Sequence, residues 1–127
     1  MPRLNIESYL ISYLRGSLVG VEVRTRVPDP RPERLVVVTR GGGGRVNSLQ
    51  DRPGVHLTVY GGSEWETSEL AAEVADLMDA LNRSDEAMLA GVSRVEEESL
   101  RSDPDTQTQP DTPRWFASYT IMTHRYE

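Results

Sequence analysis

A chain of 127 residues is long enough for one domain with a modest core. Its net charge of −6 argues against general nucleic-acid binding, because such proteins neutralise phosphates with basic patches. The absence of cysteine excludes disulfides, thiolate nucleophiles and cysteine-based zinc sites. No apolar run approaches the roughly 20 residues that cross a bilayer, and residues 1–5 lack the apolar core of a secretory signal. We therefore expect folding in a cytoplasm.

The first predicted element is a short amphipathic helix over residues 5–16. Asn5 is suited to cap its beginning, and Gly16 is suited to end it. Apolar residues recur at the i, i+3, i+4 spacing of one helical face. These residues are Ile6, Tyr9, Leu10, Tyr13 and Leu14.

Three strands are predicted next, at about 20–27, 34–40 and 55–61. In the first, Arg24 and Arg26 share a face because their spacing is two. Three prolines fill the connection to the second strand, since proline fixes φ and donates no ladder hydrogen bond. The second strand is apolar on both faces and therefore needs cover on both sides.

The strongest pattern in the chain predicts a helix over residues 64–82. Ser63 and Glu66 fit a capping box, in which the serine oxygen meets an orphan amide and the glutamate reaches back. Apolar residues then continue at helical spacing, and we expect this stripe to be buried against a sheet. The stripe consists of Leu70, Val74, Leu77 and Leu81.

Two last strands are predicted at about 88–100 and 114–126. The order α-β-β-β-α-β-β indicates an α+β fold in one domain, with an antiparallel sheet of about four to five strands and two helices packed on one face. The segments 41–52 and 102–113 have little apolar content, so we expect both to be mobile loops.

Residues that could carry chemistry are few. His56 lies on a predicted strand and His124 near the last residue, and neither belongs to a metal-ligand pattern. The glycines at 41–44 are not followed by the lysine of a phosphate-binding loop, since the chain contains no lysine. On a strand, Glu96 and Glu98 would share a side, and three adjacent acids are typical of a solvated edge. We therefore expect no catalytic, metal-binding or cofactor-binding residues.

The order of the elements and a few local patterns are similar to the tail terminator proteins of siphophages, also called tail completion or tail-to-head joining proteins. The opening helix leads into a strand of type V-x-V-x-T-R with a proline-rich turn. Three further segments carry the resemblance, which covers nearly the whole chain. They are Pro53-Gly54-Val55-His56-Leu57-Thr58-Val59-Tyr60-Gly61, Leu70-Ala71-x-x-Val74-Ala75-x-Leu77-Met78 and Pro113-Arg114-Trp115-Phe116-Ala117-Ser118-Tyr119-Thr120-Ile121.

This resemblance implies a small subunit that forms a homo-oligomeric ring, a hexamer, on the last ring of tail-tube protein. The ring would stop tube growth and present a surface to the head–tail connector or neck. It would lie at the head-proximal end of the tail in the virion, after assembly in the host cytoplasm. DNA would pass through without specific binding, and neither a cofactor nor a membrane is implied. Acids would line the channel, with Glu96, Glu97 and Glu98 as candidates.

A ring requires that one surface of a subunit meets a different surface of its neighbour. Residues 1–53 contain nine arginines and five acids, whereas residues 54–127 contain five arginines and fifteen acids. We therefore predict that arginines of the first part face acids of the next copy. The predicted interface arginines are Arg24, Arg26, Arg40 and Arg45. The last strand adds Trp115, Phe116 and Met122.

Two other interpretations remain open. The chain could be another phage neck or head-completion protein, whose partner would be a connector or portal instead of the tail tube. A small α/β ligand-binding or enzyme domain would instead have a deep pocket lined by polar groups around His56 or His124.

Overall fold

A computed structural model describes residues 4–45 and 50–124, and for residues 43–45 it describes the backbone alone. A one-turn 3-10 helix over Leu81–Arg83 follows the second helix. The α+β class and the order α-β-β-β-α-β-β are confirmed, with one short additional helix. In chain order the elements are α1 (Ile6–Ser17), β1 (Glu22–Arg24), β2 (Leu35–Arg45), β3 (Gln50–Tyr60), α2 (Glu64–Ala80), α3 (Asp85–Ala90), β4 (Val92–Ser102) and β5 (Trp115–His124).

Within the described residues, the strands form one sheet in the order β1-β2-β3-β5-β4. β1 pairs with β2 in parallel, so the sheet is mixed and the prediction of a purely antiparallel sheet is wrong at this edge. The other neighbouring strands are antiparallel. The proline-rich connection 25–34 is long enough to join two parallel strands. Extended proline-rich chain rises about 3.1 Å per residue, so this segment can return along a strand that is only about 10 Å long.

The two long helices begin as predicted. The Asn5 side chain accepts a hydrogen bond from the Ser8 amide at 3.1 Å, and the Ser63 hydroxyl accepts one from the Glu66 amide at 3.1 Å. α1 continues one residue beyond Gly16, and α2 ends in the 3-10 turn. Both serine and asparagine oxygens satisfy amides that the first helical turn leaves without a partner.

The buried stripe of α2 differs from the prediction at one position. Leu70, Val74 and Leu81 are buried, but Leu77 is only partly buried, and Met78 takes the central place with 0% exposure. Leu77 lies at the border of the stripe, where its carbonyl accepts a hydrogen bond from the Tyr13 hydroxyl at 2.6 Å. Met78 therefore occupies the buried position that was predicted for Leu77.

The strand predicted at 88–100 begins later, because residues 85–90 form α3. The Ser84 hydroxyl accepts a hydrogen bond from the Ala87 amide at 3.0 Å, which caps this helix. The helix ends at Ala90, Gly91 caps it in the left-handed conformation, and β4 follows directly. A six-residue helix is too short for its apolar residues to display a clear period.

β2 and β3 are longer than predicted, and the loop expected over 41–52 is wrong for most of its length. Residues 41–45 continue β2 and residues 50–52 begin β3, while residues 46–49 lie outside the described chain. Gly43 pairs with Pro53. A glycine run has no side chains and so displays no alternation between faces, which concealed this part of the strand.

Strand alternation divides the sheet into two faces. α1 and α2 pack on the face that contains Val36, Val59 and Ala117, which belong to the main apolar core. The opposite face, hereafter the open face, contains a small buried cluster of Leu35, Val37 and Tyr60. The apolar residues of β2 are therefore buried on both faces, as predicted.

The connection between β4 and β5 corresponds closely to the predicted loop 102–113, and its backbone extends the hairpin. The Asp103 amide donates to the Arg114 carbonyl at 2.8 Å, and Asp105 and Thr112 exchange two backbone hydrogen bonds. The Thr108 and Thr112 hydroxyls are 2.7 Å apart. Hydrogen bonds therefore shape this polar segment without an apolar core, and its mobility stays a prediction.

Candidate assembly surfaces

The open face carries aromatic side chains in contact with arginines. The Arg31 guanidinium lies 4.5 Å from the centre of the Tyr60 ring, which brings the proline-rich connection over one end of this face. The Arg101 guanidinium lies 4.8 Å from the centre of the Phe116 ring. The centres of the His56 and Phe116 rings are 5.2 Å apart. Such cation–π contacts are favourable at partly exposed sites.

The predicted interface residues of β5 do not form one patch. Phe116 and Met122 lie on the open face and are partly exposed. Trp115 lies on the opposite face, where it is partly buried and packs against the main core. Phe116 and Met122 therefore remain candidates for contact with a neighbour, whereas Trp115 packs within its own subunit.

His56 packs against the glycine run of β2. A Cβ atom added to Gly41 would lie 2.5 Å from the His56 ring, so the absence of a side chain at Gly41 allows the imidazole to lie against the backbone. The cleft of about 550 Å³ and three clefts of about 300 Å³ described for this chain are lined by neither His56 nor His124. Both histidines remain outside any pocket that we describe.

The cleft of about 550 Å³ lies between α1 and the beginning of the proline-rich connection; we call it the arginine cleft. Its lining contains Arg15, Arg24 and Arg26. Arg26 follows β1 instead of sharing a strand face with Arg24, which corrects the prediction from their spacing. The two side chains nevertheless line the same space, because the chain turns alongside α1 after Arg24. The full lining is Ser8, Ile11, Ser12, Arg15, Arg24, Thr25, Arg26, Val27 and Pro28.

The arginines of this cleft differ in how they are engaged. Arg15 donates two hydrogen bonds to the Val23 carbonyl, at 3.1 and 2.8 Å. Arg24 forms an exposed ion pair with Glu22 at 3.4 Å, and Arg26 makes no hydrogen bond or ion pair with any residue of the described chain. Arg26 is therefore available to an anionic partner, whereas Arg24 must exchange its contact with Glu22 to bind one.

The other two predicted interface arginines lie elsewhere. Arg40 is exposed on β2, where it pairs with Val55 next to a bulge. Arg45 is the last residue of β2, and its side chain lies outside the described part of the structure. The structure thus brings together Arg24 and Arg26, and it does not place Arg40 in the arginine cleft.

The three consecutive acids of β4 point in different directions. Glu96 forms an ion pair with Arg94 at 2.9 Å, and both lie on the open face. Glu97 lies on the helix-covered face and accepts a hydrogen bond from the Tyr119 hydroxyl at 3.3 Å. Glu98 is the unpaired residue of a bulge between Glu97 and Ser99, so strand alternation no longer fixes its side relative to Glu96. These acids are therefore not a single wall of a channel within one subunit.

An acidic cleft of about 300 Å³ was not anticipated from the sequence. Asp76 and Asp79 of α2 line it together with Glu97 and Tyr119. Asp76 and Asp79 are neighbours on one side of α2, but Glu97 is distant in the chain, so only the packing of α2 on the sheet brings it to them. Among the described residues, no group of three or more histidine, aspartate or glutamate side chains is arranged to hold a metal ion.

Both outer strands of the sheet are capped by a side chain, which sequence patterns also missed. The Val23 carbonyl of β1 accepts from Arg15, as described above. In β4, the Asn82 amide group donates to the Val95 carbonyl at 2.9 Å and accepts from the Val95 amide at 2.7 Å. Exposed strand edges are templates for pairing with other chains, so these contacts block edge-to-edge pairing where they occur.

Trp65 is a further surface residue without an obvious role in the fold. It lies in the first turn of α2 and is 70% exposed. The sequence already placed Trp65 outside the apolar stripe of the helix. A large aromatic residue on the polar side of a helix favours contact with a partner.

Burial raises the pKa of the Tyr119 phenol well above its ordinary value, and the adjacent Glu97 carboxylate raises it further. The unfolded chain ionises this phenol near pH 10, whereas the folded protein keeps it neutral. The stability that Tyr119 contributes is therefore present below about pH 10 and lost as the pH rises above it. Tyr119→Phe should reduce the decline of the free energy of unfolding between about pH 10 and 11, measured by urea denaturation.

Glu97→Gln is the matched control for this prediction. It removes the negative charge but leaves the phenol buried, so it should reduce the alkaline decline less than Tyr119→Phe does. An alkaline decline identical in the wild type and in Tyr119→Phe would show that Tyr119 ionises freely in the folded protein.

Neither a protein-family model nor a curated protein sequence matches this chain significantly. In the described residues, no helix is both long and apolar enough to cross a membrane.

Proposed function

We propose that this chain is a non-enzymatic structural protein, a tail terminator of a long-tailed bacteriophage. Several copies form a ring on the last ring of tail-tube protein, stop the growth of the tube and provide the surface that joins the head connector. The sequence patterns quoted above favour this role. The subunit size and the α+β layering are compatible with it.

The observation that supports assembly most directly is the open face of the sheet. Both long helices pack on one face, and Phe116 and Met122 remain partly exposed on the other. Apolar and aromatic side chains in this position favour a partner, because burying their remaining surface removes it from water. A subunit of a ring needs exposed apolar surface of this kind to bind its neighbours.

The proposal is tested by producing the chain together with the tail-tube protein whose gene we expect immediately downstream. Electron microscopy should show tubes that end in a ring when the chain is present and tubes of uncontrolled length when it is absent. Phage depleted of the chain should make overlong tails that do not join heads. Tubes of the same length with and without the chain would contradict the proposal.

The same preparations discriminate the other phage function. A chain that binds purified connector or portal but leaves tube length unchanged would be a neck or head-completion protein. DNA binding provides a separate check, because DNA must slide through the ring. Duplex binding at physiological salt as tight as about 10⁻⁸ M, the range of specific DNA-binding proteins, would also contradict the proposal.

A further inference from the structure

The arginine cleft is shaped and charged to receive an acidic group. Its volume of about 550 Å³ lies within the range of roughly 300–1,000 Å³ that is typical of clefts that bind ligands. Arg26 has no hydrogen-bond or ion-pair partner in the described chain, and Arg24 is paired with Glu22 at 3.4 Å, a long and exposed contact that an incoming carboxylate can replace. Guanidinium groups bind carboxylates through paired hydrogen bonds, so carboxylates are the chemistry that this cleft fits.

The chain itself carries a protruding acidic segment, residues 105–112, which we call the acidic hairpin tip. Residues 106–111 are all exposed. Asp105 accepts a hydrogen bond from the Gln107 amide at 3.0 Å, and Asp111 is exposed and has no hydrogen bond or ion pair with the described residues. The backbone bonds between Asp105 and Thr112 hold the tip in a narrow ladder that could enter a cleft.

The arginine cleft and the acidic hairpin tip lie toward opposite edges of the sheet. The arginine cleft adjoins β1, which forms one edge, whereas the acidic hairpin tip connects β5 to β4, which forms the other. Neighbouring strands are about 4.8 Å apart, so the width of the sheet keeps one copy's tip away from its own cleft. Complementary surfaces on opposite edges are the arrangement that a head-to-tail contact between copies requires.

The capping of the outer strands favours this mode over continuous pairing of sheets. Arg15 engages the Val23 carbonyl at one edge, and Asn82 engages both backbone groups of Val95 at the other. A neighbour could form a strand ladder there only by displacing these side chains. Contacts through side chains and the protruding hairpin avoid that displacement.

We propose that the arginine cleft of one copy binds the acidic hairpin tip of the next, with Arg24 and Arg26 facing Asp105 and Asp111. This inference rests on the proposed ring and specifies which surfaces close it. Exposed ion pairs are individually weak and sensitive to salt, so the contact depends on several charges acting together.

Disulfide trapping tests the contact without interference, because the natural chain has no cysteine. Val27→Cys, in the lining of the cleft, and Thr106→Cys, in the exposed tip, leave all four charges in place. They are prepared separately, mixed and oxidised, and the mixed dimer is measured by mass spectrometry. Asp79→Cys replaces Thr106→Cys in the control, since Asp79 belongs to the other acidic surface. We expect about tenfold more mixed dimer for the cleft–tip pair than for the control pair, which corresponds to a difference of about 1.4 kcal/mol in the free energy of association. Equal yields, or a higher yield with Asp79→Cys, would overturn the assignment.

Charge reversal supplies a second measurement. Copies with Arg24→Glu and Arg26→Glu should repel one another's tips, and copies with Asp105→Arg and Asp111→Arg should repel one another's clefts. A mixture of the two should restore capping of tail tubes, because an acidic cleft then meets a basic tip and the alternate contact remains natural. Failure of the mixture, with each variant folded by circular dichroism, would count against the contact.

The outcomes separate this inference from the proposed function. If the wild-type chain caps tubes but the cysteine variants do not form the cleft–tip disulfide, the tail role stands and this contact is overturned. If the cysteine variants form the disulfide but the wild-type chain leaves tube growth unchanged, the contact between copies stands and the tail role is overturned.

Discussion

Leu70→Ala is expected to lower the free energy of unfolding by about 2–5 kcal/mol, since it removes a buried side chain and leaves a cavity. Leu70 is 1% exposed and belongs to the main core between α2 and the sheet. The measurement is urea denaturation of the wild type and the variant, with the midpoint and the slope compared.

Leu77→Ala is the matched control, because it removes the same atoms from the same helix. Leu77 is only partly buried, so the loss should be about 1 kcal/mol. Equal losses at the two positions, or a loss below about 0.5 kcal/mol at Leu70, would mean that the stripe of α2 is rotated from the orientation described above.

Gly61→Ala is expected to destabilise the protein by about 3 kcal/mol, because the added methyl group meets backbone that cannot move alone. An alanine Cβ at this position would lie 2.6 Å from the Cα of Thr67 and 2.9 Å from the carbonyl oxygen of Glu66. The Gly61 amide also donates to the Thr67 hydroxyl at 3.2 Å, so the end of β3 and the first turn of α2 are held in contact. Relieving the clash must separate them.

Gly16→Ala provides the opposite expectation. Apart from its chain neighbours and the backbone of α1 itself, no atom of the described residues lies within 4 Å of a Cβ added to Gly16, and alanine favours the helical conformation. It should stabilise the protein by up to about 1 kcal/mol. Thermal denaturation of both variants tests the pair, and a Gly61→Ala protein as stable as the wild type would show that the junction between β3 and α2 adjusts freely.

Local chemistry explains which features could be predicted from the sequence. A side chain that caps a helix acts within three or four residues, so Asn5 and Ser63 were recognisable before any packing was known. Apolar periodicity similarly predicted the two long helices and the fully buried beginning of β2. Each of these signals depends on residues that are close along the chain.

The candidate surfaces were predictable only in part. The spacing of Arg24 and Arg26 predicted a shared strand face, but the two side chains line one cleft because the chain turns beside α1 after Arg24, and their role in an interface stays a prediction. The side that Glu98 takes relative to Glu96 is altered by a bulge after Glu97, whose position depends on pairing with β5. Sequence spacing could not reveal either outcome, because both depend on a neighbouring element.

The sequence by itself determined the α+β class, the order of the principal elements and the segments that cap the long helices, because these follow from periodicity and local hydrogen bonding. Only the tertiary structure decided that β1 is parallel to β2, that the glycine run continues a strand and that Asn82 caps Val95. Strand direction and edge contacts join residues distant in the chain, and their free energy depends on the assembled sheet. The opposite placement of the arginine cleft and the acidic hairpin tip follows from that same sheet order.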